Sequence, residues 1–172
     1  MINKLQLNKD YIKIKRALIS VFDKTGIVEL AKTLEEMHIE ILSTGGTAKT
    51  LNDAHINVTD ITTYTNFPEI MNGRVKTINP LVSGGILGLR DEHADEAKSN
   101  EIKWIDLVVC NLYPFSETIL REDCDEALAL ENIDIGGPTM IRSAAKNLGW
   151  VCVAVDPDDY KIIVDELKTT SK

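Results

Sequence analysis

Four short, nearly continuous apolar runs dominate the chain: "ALISVF" at 17–22, "IEILS" at 39–43, "WIDLVVCNL" at 104–112 and "WVCVAV" at 150–155. Between them, apolar residues recur at helical spacing in "GIVELAKTLEEM" at 26–37, "TAKTLNDA" at 47–54, "DEALALEN" at 125–132, "TMIRSAAKN" at 139–147 and "DDYKIIVDELK" at 158–168. A strand that is apolar throughout has no face to give to water, so it must be covered on both sides. Such strands in alternation with helices predict an α/β fold of three layers, with a mostly parallel central sheet. Ligands of such sheets bind beyond the carboxyl ends of the strands, where strand-to-helix loops gather. The chain has 172 residues, enough for one domain with its own core. The expected organisation is an N-terminal arm over 1–15 and one domain over 16–172, ending in a short tail at 169–172.

Composition removes several classes of function. No apolar run approaches the roughly 20 residues that a membrane helix requires, and "MINKLQLNKDYIKIK" at the start lacks an apolar signal core. The expectation is a cytoplasmic protein without a membrane partner. A formal net charge of −8 opposes binding to nucleic acid, whose phosphates select broad basic surfaces. Three cysteines, Cys110, Cys124 and Cys152, show no C-x-x-C spacing and suggest neither a disulfide framework nor a zinc site. His38, His55 and His93 fall in polar stretches and read as solvated residues.

The loops carry the chemistry. "SVFDKTG" (20–26) and "STGGTA" (43–48) set hydroxyl residues and glycine directly before helices, where free N–H groups and the helix dipole hold anions. Taken alone, Thr47 reads equally as an N-cap and Gly45-Gly46 as a tight turn. "MNGRVKTINP" (71–80) alternates Arg74 and Lys76; on an extended segment both point to one side, towards something anionic. In "NLYPF" Pro114 ends the strand and leaves Asn111 and Tyr113 at its carboxyl end. In "IDIGGPTMIRSAAKN" Asp134 precedes a Gly136-Gly137 turn, with Pro138 suited to the first helical position. Lys146 follows about two turns later, either as a surface lysine or lying against a partner loop.

These blocks, "SVFDKTG", "STGGTA", "GRVKT", "CNLYPF" and "DIGGPTMIRSAAKN", in this order and spacing, resemble the IMP cyclohydrolase domain. That domain is the N-terminal half of the bifunctional purine biosynthesis enzyme, whose other half is the aminoimidazole carboxamide ribonucleotide (AICAR) formyltransferase. The resemblance runs from about Ala17 to Leu167. It implies a methylglyoxal-synthase-like fold and closure of the purine ring of 5-formamidoimidazole-4-carboxamide ribonucleotide (FAICAR), with loss of water, to give IMP. No metal or organic cofactor is implied. The implied partners are the purine nucleotide and, in a longer chain, the formyltransferase domain; a homodimer is compatible with it.

By the same resemblance Ser20, Lys24, Thr25, Thr44, Gly45, Gly46, Thr47 and Arg74 match the phosphate and ribose region, Asn111, Tyr113, Asp134, Gly136 and Gly137 match the base region, and Thr77 is a further substrate-binding residue. Lys76, Tyr113, Asp134 and Lys146 match the catalytic set. Two departures stand out. Asn79 and Ser83 in "KTINPLVSGG" replace two histidines usual in the family, and Phe22 replaces a frequent serine. Neither Asn79 nor Ser83 titrates near neutral pH. Two other readings share the scaffold: methylglyoxal synthase, which "GRVKT", "NLYPF" and "IDIGGPT" fit poorly, and a non-catalytic nucleotide sensor like the allosteric domain of carbamoyl phosphate synthetase.

Overall fold

The computed structural model describes residues 8–170. Five strands form one sheet: β1 (Arg16–Ser20), β2 (Glu40–Ser43), β3 (Thr59–Asp60), β4 (Leu107–Cys110) and β5 (Cys152–Ala154). Their order is β3-β2-β1-β4-β5 and every pairing is parallel. The helices are α1 (Ile27–Glu36), α2 (Gly45–Asp53), α3 (Ile61–Thr65), α4 (Pro80–Leu87), α5 (Ala94–Ser99), α6 (Phe115–Thr118), α7 (Glu126–Glu131), α8 (Gly136–Lys146) and α9 (Tyr160–Thr170).

The pleat divides the core into two. Ala17 and Ile19 of β1 join Ile41, Leu107 and Val109 beneath Leu30 and Leu34 of α1 and Leu167 of α9. Leu18 points the other way and joins Leu42, Val108 and Cys110 beneath Val82 and Ile86 of α4 and Met140 and Ala144 of α8. The expected three-layer α/β fold is therefore present, and the described strands are parallel throughout.

The strands are shorter than the apolar runs that announce them, since only Leu107–Cys110 of the run at 104–112 pairs as a strand. Helix α4 has no amphipathic signal because it is apolar on most sides, yet its start is well defined. Asn79 Oδ1 accepts from the Leu81 N–H at 2.8 Å and Pro80 takes the first turn. The Gly136-Gly137 pair is not a turn; it opens α8, so Pro138 is the third helical residue and not the first. Gly45 and Gly46 likewise open α2.

The segment holding Arg74 and Lys76 is not extended. Met71–Gly73 is a single 3-10 turn, Arg74 has φ −64° and ψ −27°, and Ile70 and Val75 form one antiparallel bridge across the turn. The chain doubles back at Gly73, so strand alternation does not set the directions of the two cations.

Residues 1–7 of the expected arm and 171–172 of the tail lie outside the described residues. From Asn8 onward the chain is attached: Asn8 Nδ2 donates to the Gly149 carbonyl at 3.0 Å, and the Lys15 N–H donates to Asp106 Oδ2 at 2.7 Å.

Candidate active site

A cavity of about 730 Å³ opens beyond the carboxyl ends of β1 and β4, where the strand order changes direction. Ser20 and Cys110, partners in register at those strand ends, sit side by side in its wall. The loop after β1 is tied down from both neighbours. From the β2 side, the buried Thr47 hydroxyl donates to the Val21 carbonyl at 2.9 Å and accepts from the Val21 N–H at 3.1 Å. From the β4 side, Asn111 Oδ1 accepts from the Phe22 and Asp23 N–H groups at 2.7 and 2.9 Å, and its Nδ2 donates to the Asp23 carbonyl at 2.9 Å. Thr47 and Asn111 thus line the cavity while their polar atoms hold its wall in place.

Cations gather at the start of α2. A Cβ built on Gly45 would lie 3.8 Å from the Lys76 ammonium nitrogen, and one on Gly46 would lie 4.0 Å from that of Lys24. The first turn of a helix has N–H groups without intrahelical partners and carries the positive end of the dipole. Two ammonium groups against that end repel one another and the dipole unless an anion lies among them. Arg74 adds a third positive charge to the lining. Internal carboxylates meet two of the three: Lys76 lies 3.4 Å from Glu69 Oε2, and Arg74 pairs with Glu131 at the end of α7.

The opposite wall is built for close approach. Asp134 Oδ1 accepts from the Gly137 N–H at 2.8 Å. A Cβ on Gly137 would fall 2.6 Å from Asp134 Oδ2 and 2.5 Å from Leu112, and one on Gly136 would fall 2.8 Å from the Thr77 hydroxyl. Any larger residue at either position would push Asp134, Leu112 or Thr77 aside, so the two glycines let these side chains close on the start of α8. Tyr113 is 53% exposed and packs against Phe22, ring centroids 5.3 Å apart. The Phe22 departure therefore supplies an aromatic partner for Tyr113. Burial, with a lesser contribution from the Asp134 charge, pushes the Cys110 thiol up to about 12, so it stays protonated and inert as a nucleophile.

All of the residues singled out from the sequence line this cavity except Thr25 and Lys146. Thr25 turns away: its hydroxyl donates to Asp23 Oδ1 at 2.7 Å, and the hydrogen bonds from Thr25 hold the Asp23 carboxyl below its usual range. Lys146 is exposed at the far end of α8, ten residues or about 15 Å of helix from Gly136. Its neighbour Asn147 is the buried one, with Nδ2 donating to the Ile86 carbonyl at 2.6 Å. Neither Asn79 nor Ser83 lines the cavity, so the two departures from histidine fall outside its walls. Sequence reasoning missed Glu131 and Asn132 in the lining and Glu69 behind Lys76. Acidic residues in polar stretches look solvated, and only the fold brings them against cations.

A second cavity, about 560 Å³, lies at the amino end of the strands. Its buried charges are already matched: Arg90 pairs with Asp106 at 2.7 Å between the rings of Trp104 and Trp150, and Arg16 pairs with Glu40 at 2.6 Å. Among the described residues, no group of three or more His, Cys, Asp or Glu is placed to hold a metal ion, and no helix is long and apolar enough to cross a membrane. His38 and His55 are exposed with positive φ, while the partly buried His93 accepts from the Leu89 N–H through Nδ1 at 3.0 Å. None of the three lines the cavity.

The chain spans 31% of the length of a curated relative, the bifunctional purine biosynthesis protein PurH of Acetivibrio thermocellus, to which it is 59% identical over 159 residues, 91% of this chain. Its structure is similar to the crystal structure of ForH, with a TM-score of 0.81 and 37% identity over 90% of this chain and 78% of that one. The MGS-like domain model matches residues 26–139, the span from the start of α1 to the first turn of α8, which holds most of the cavity lining but not the loop after β1. With the parallel sheet and the loop-built cavity, this match shows that the chain belongs to the MGS-like domain family.

Proposed function

We propose that the chain acts in purine biosynthesis by closing the ring of FAICAR to give IMP, and that residues 16–172 are the cyclohydrolase domain. The observation that carries the reading is that one cavity is lined by Lys24 and Lys76 against the α2 terminus, by Arg74, and by Asp134 with the Gly136-Gly137 backbone. A volume of about 730 Å³ suits a nucleotide. The identity to a purine biosynthesis protein supports the same substrate class. Formyl transfer, which makes the substrate, is assigned by the resemblance to a separate domain.

The phosphate would take the α2 N–H groups with Lys24 and Arg74, which directs the base towards Tyr113 and Gly136-Gly137. In the reaction the carboxamide nitrogen bonds to the formyl carbon of the same molecule, so the site's task is to hold the reactive conformer. The carboxamide and formamido nitrogens each give up one proton, and the formyl oxygen takes both and leaves as water. Asp134, fixed through Oδ1 by the Gly137 N–H, would orient the carboxamide and accept its proton. Lys76 would stabilise the oxyanion, and Tyr113 would pass a proton to the departing oxygen. Lys146 has no role in this scheme.

The test mixes the 172-residue chain with FAICAR and follows IMP formation against a blank and a Lys76→Met variant. The expected result is turnover by the native chain and a loss on the order of 100-fold in the variant, with IMP affinity retained. Unchanged turnover in the variant removes Lys76 from the chemistry. IMP binding without turnover by the native chain would point to a nucleotide sensor or to a domain that needs a partner domain for turnover, which adding the formyltransferase domain would distinguish.

A further inference from the structure

We infer that Glu131 sets the selectivity of the phosphate subsite: its carboxylate occupies Arg74 as an internal competitor until a phosphate displaces it. The inference rests on the nucleotide reading given above. Glu131 is the last residue of α7, where the helix carbonyls repel a carboxylate, so the helix itself gives no reason for its placement. Arg74, which pairs with it directly within the cavity lining, does. Helix α7 buries none of its residues, so few other contacts hold Glu131 where it is. Lys76 repeats the arrangement with Glu69, and the loop that carries both cations is thereby neutralised from within.

Guanidinium binds a phosphate dianion more strongly than a single carboxylate, through the same fork of donors. The pair is mostly solvent-exposed, 68% and 59%, which keeps it weak enough to be broken. A ligand bearing a phosphate can therefore displace Glu131, whereas a nucleoside leaves the pair intact. Once displaced, the carboxylate stays beside the dianion and weakens its hold, which also eases release of a phosphate-bearing product.

Titration calorimetry with IMP, inosine and pyrophosphate on the native chain, Glu131→Gln, Arg74→Ala and the double variant tests this. Glu131→Gln is expected to tighten IMP and pyrophosphate by about three- to ten-fold and to leave inosine unchanged. In the Arg74→Ala background the gain should shrink below about two-fold, because the pair no longer exists. Weaker IMP binding in Glu131→Gln would make Glu131 a ligand contact, and unchanged binding would make the pair incidental; either overturns the inference. Tighter pyrophosphate binding in a protein that does not bind IMP would keep the competitor and remove the nucleotide reading. No binding of IMP or pyrophosphate by any variant removes both.

Discussion

At the scale of single residues, the site depends on what is missing from Gly137. Its N–H fixes Asp134, and the space beside its Cα is filled by the other Asp134 oxygen and by Leu112. Gly137→Ala would put a methyl 2.5–2.6 Å from both, so the carboxylate or the leucine must move. Displacing a catalytic group by about 1 Å costs on the order of 100-fold in rate, and overpacking costs about 1–3 kcal/mol of stability. The expected variant is folded, lower in melting temperature and depressed in kcat more than in KM. A kcat within a few-fold of native, read by IMP formation, would show that Asp134 tolerates the shift and does not require this position.

Among the elements, strands and loops were legible to different degrees for identifiable reasons. Runs such as "LVVC" announce themselves because both faces are buried. The two-residue β3 is too short for any periodic signal, and α4, "PLVSGGIL", carries apolar residues and glycines where an amphipathic helix would alternate. Glycine, threonine and lysine marked the loops around α2 in advance, because those types suit anion binding wherever a helix begins. Arg74 and Lys76 line the cavity from a doubled-back turn and not from the extended segment that their alternation predicts. Asn111 shows the limit of reading by type, since its residue type suggests a ligand contact but says nothing of its bonds to the 22–23 backbone, which tie that loop to the end of β4. Replacing Asn111 with Ala removes two acceptor bonds and one donor bond between β4 and the 22–23 backbone. The expected loss is about 1–3 kcal/mol, with weaker nucleotide binding because Lys24 rides on that loop. Equal stability in chemical denaturation would mean that the loop holds its shape without Asn111.

In the molecule as a whole, the two ends of one sheet do different work. At the carboxyl end, Lys24 and Lys76 approach the positive end of α2, with Lys76 held 3.4 Å from Glu69, an arrangement that favours an anion. At the amino end, Asp106 is 3% exposed and accepts from the Lys15 and Arg16 N–H groups while pairing with Arg90, which locks β1 to β4. Breaking a buried pair from one side leaves the other charge uncompensated, at about 3–5 kcal/mol. Arg90→Met should therefore lower the melting temperature by roughly 6–20 °C for a chain of this size, yet leave nucleotide affinity per folded molecule near native. Lys24→Ala should do the opposite, weakening nucleotide binding with little change in melting temperature, because the relief of its repulsion with Lys76 is set against the loss of its hydrogen bonds to the Val21 and Phe22 carbonyls. Thermal melts and calorimetry on the two variants separate the effects. If Arg90→Met weakened binding as much as Lys24→Ala, the sheet would be transmitting between its ends, and the division between a stabilising amino end and a binding carboxyl end would not hold.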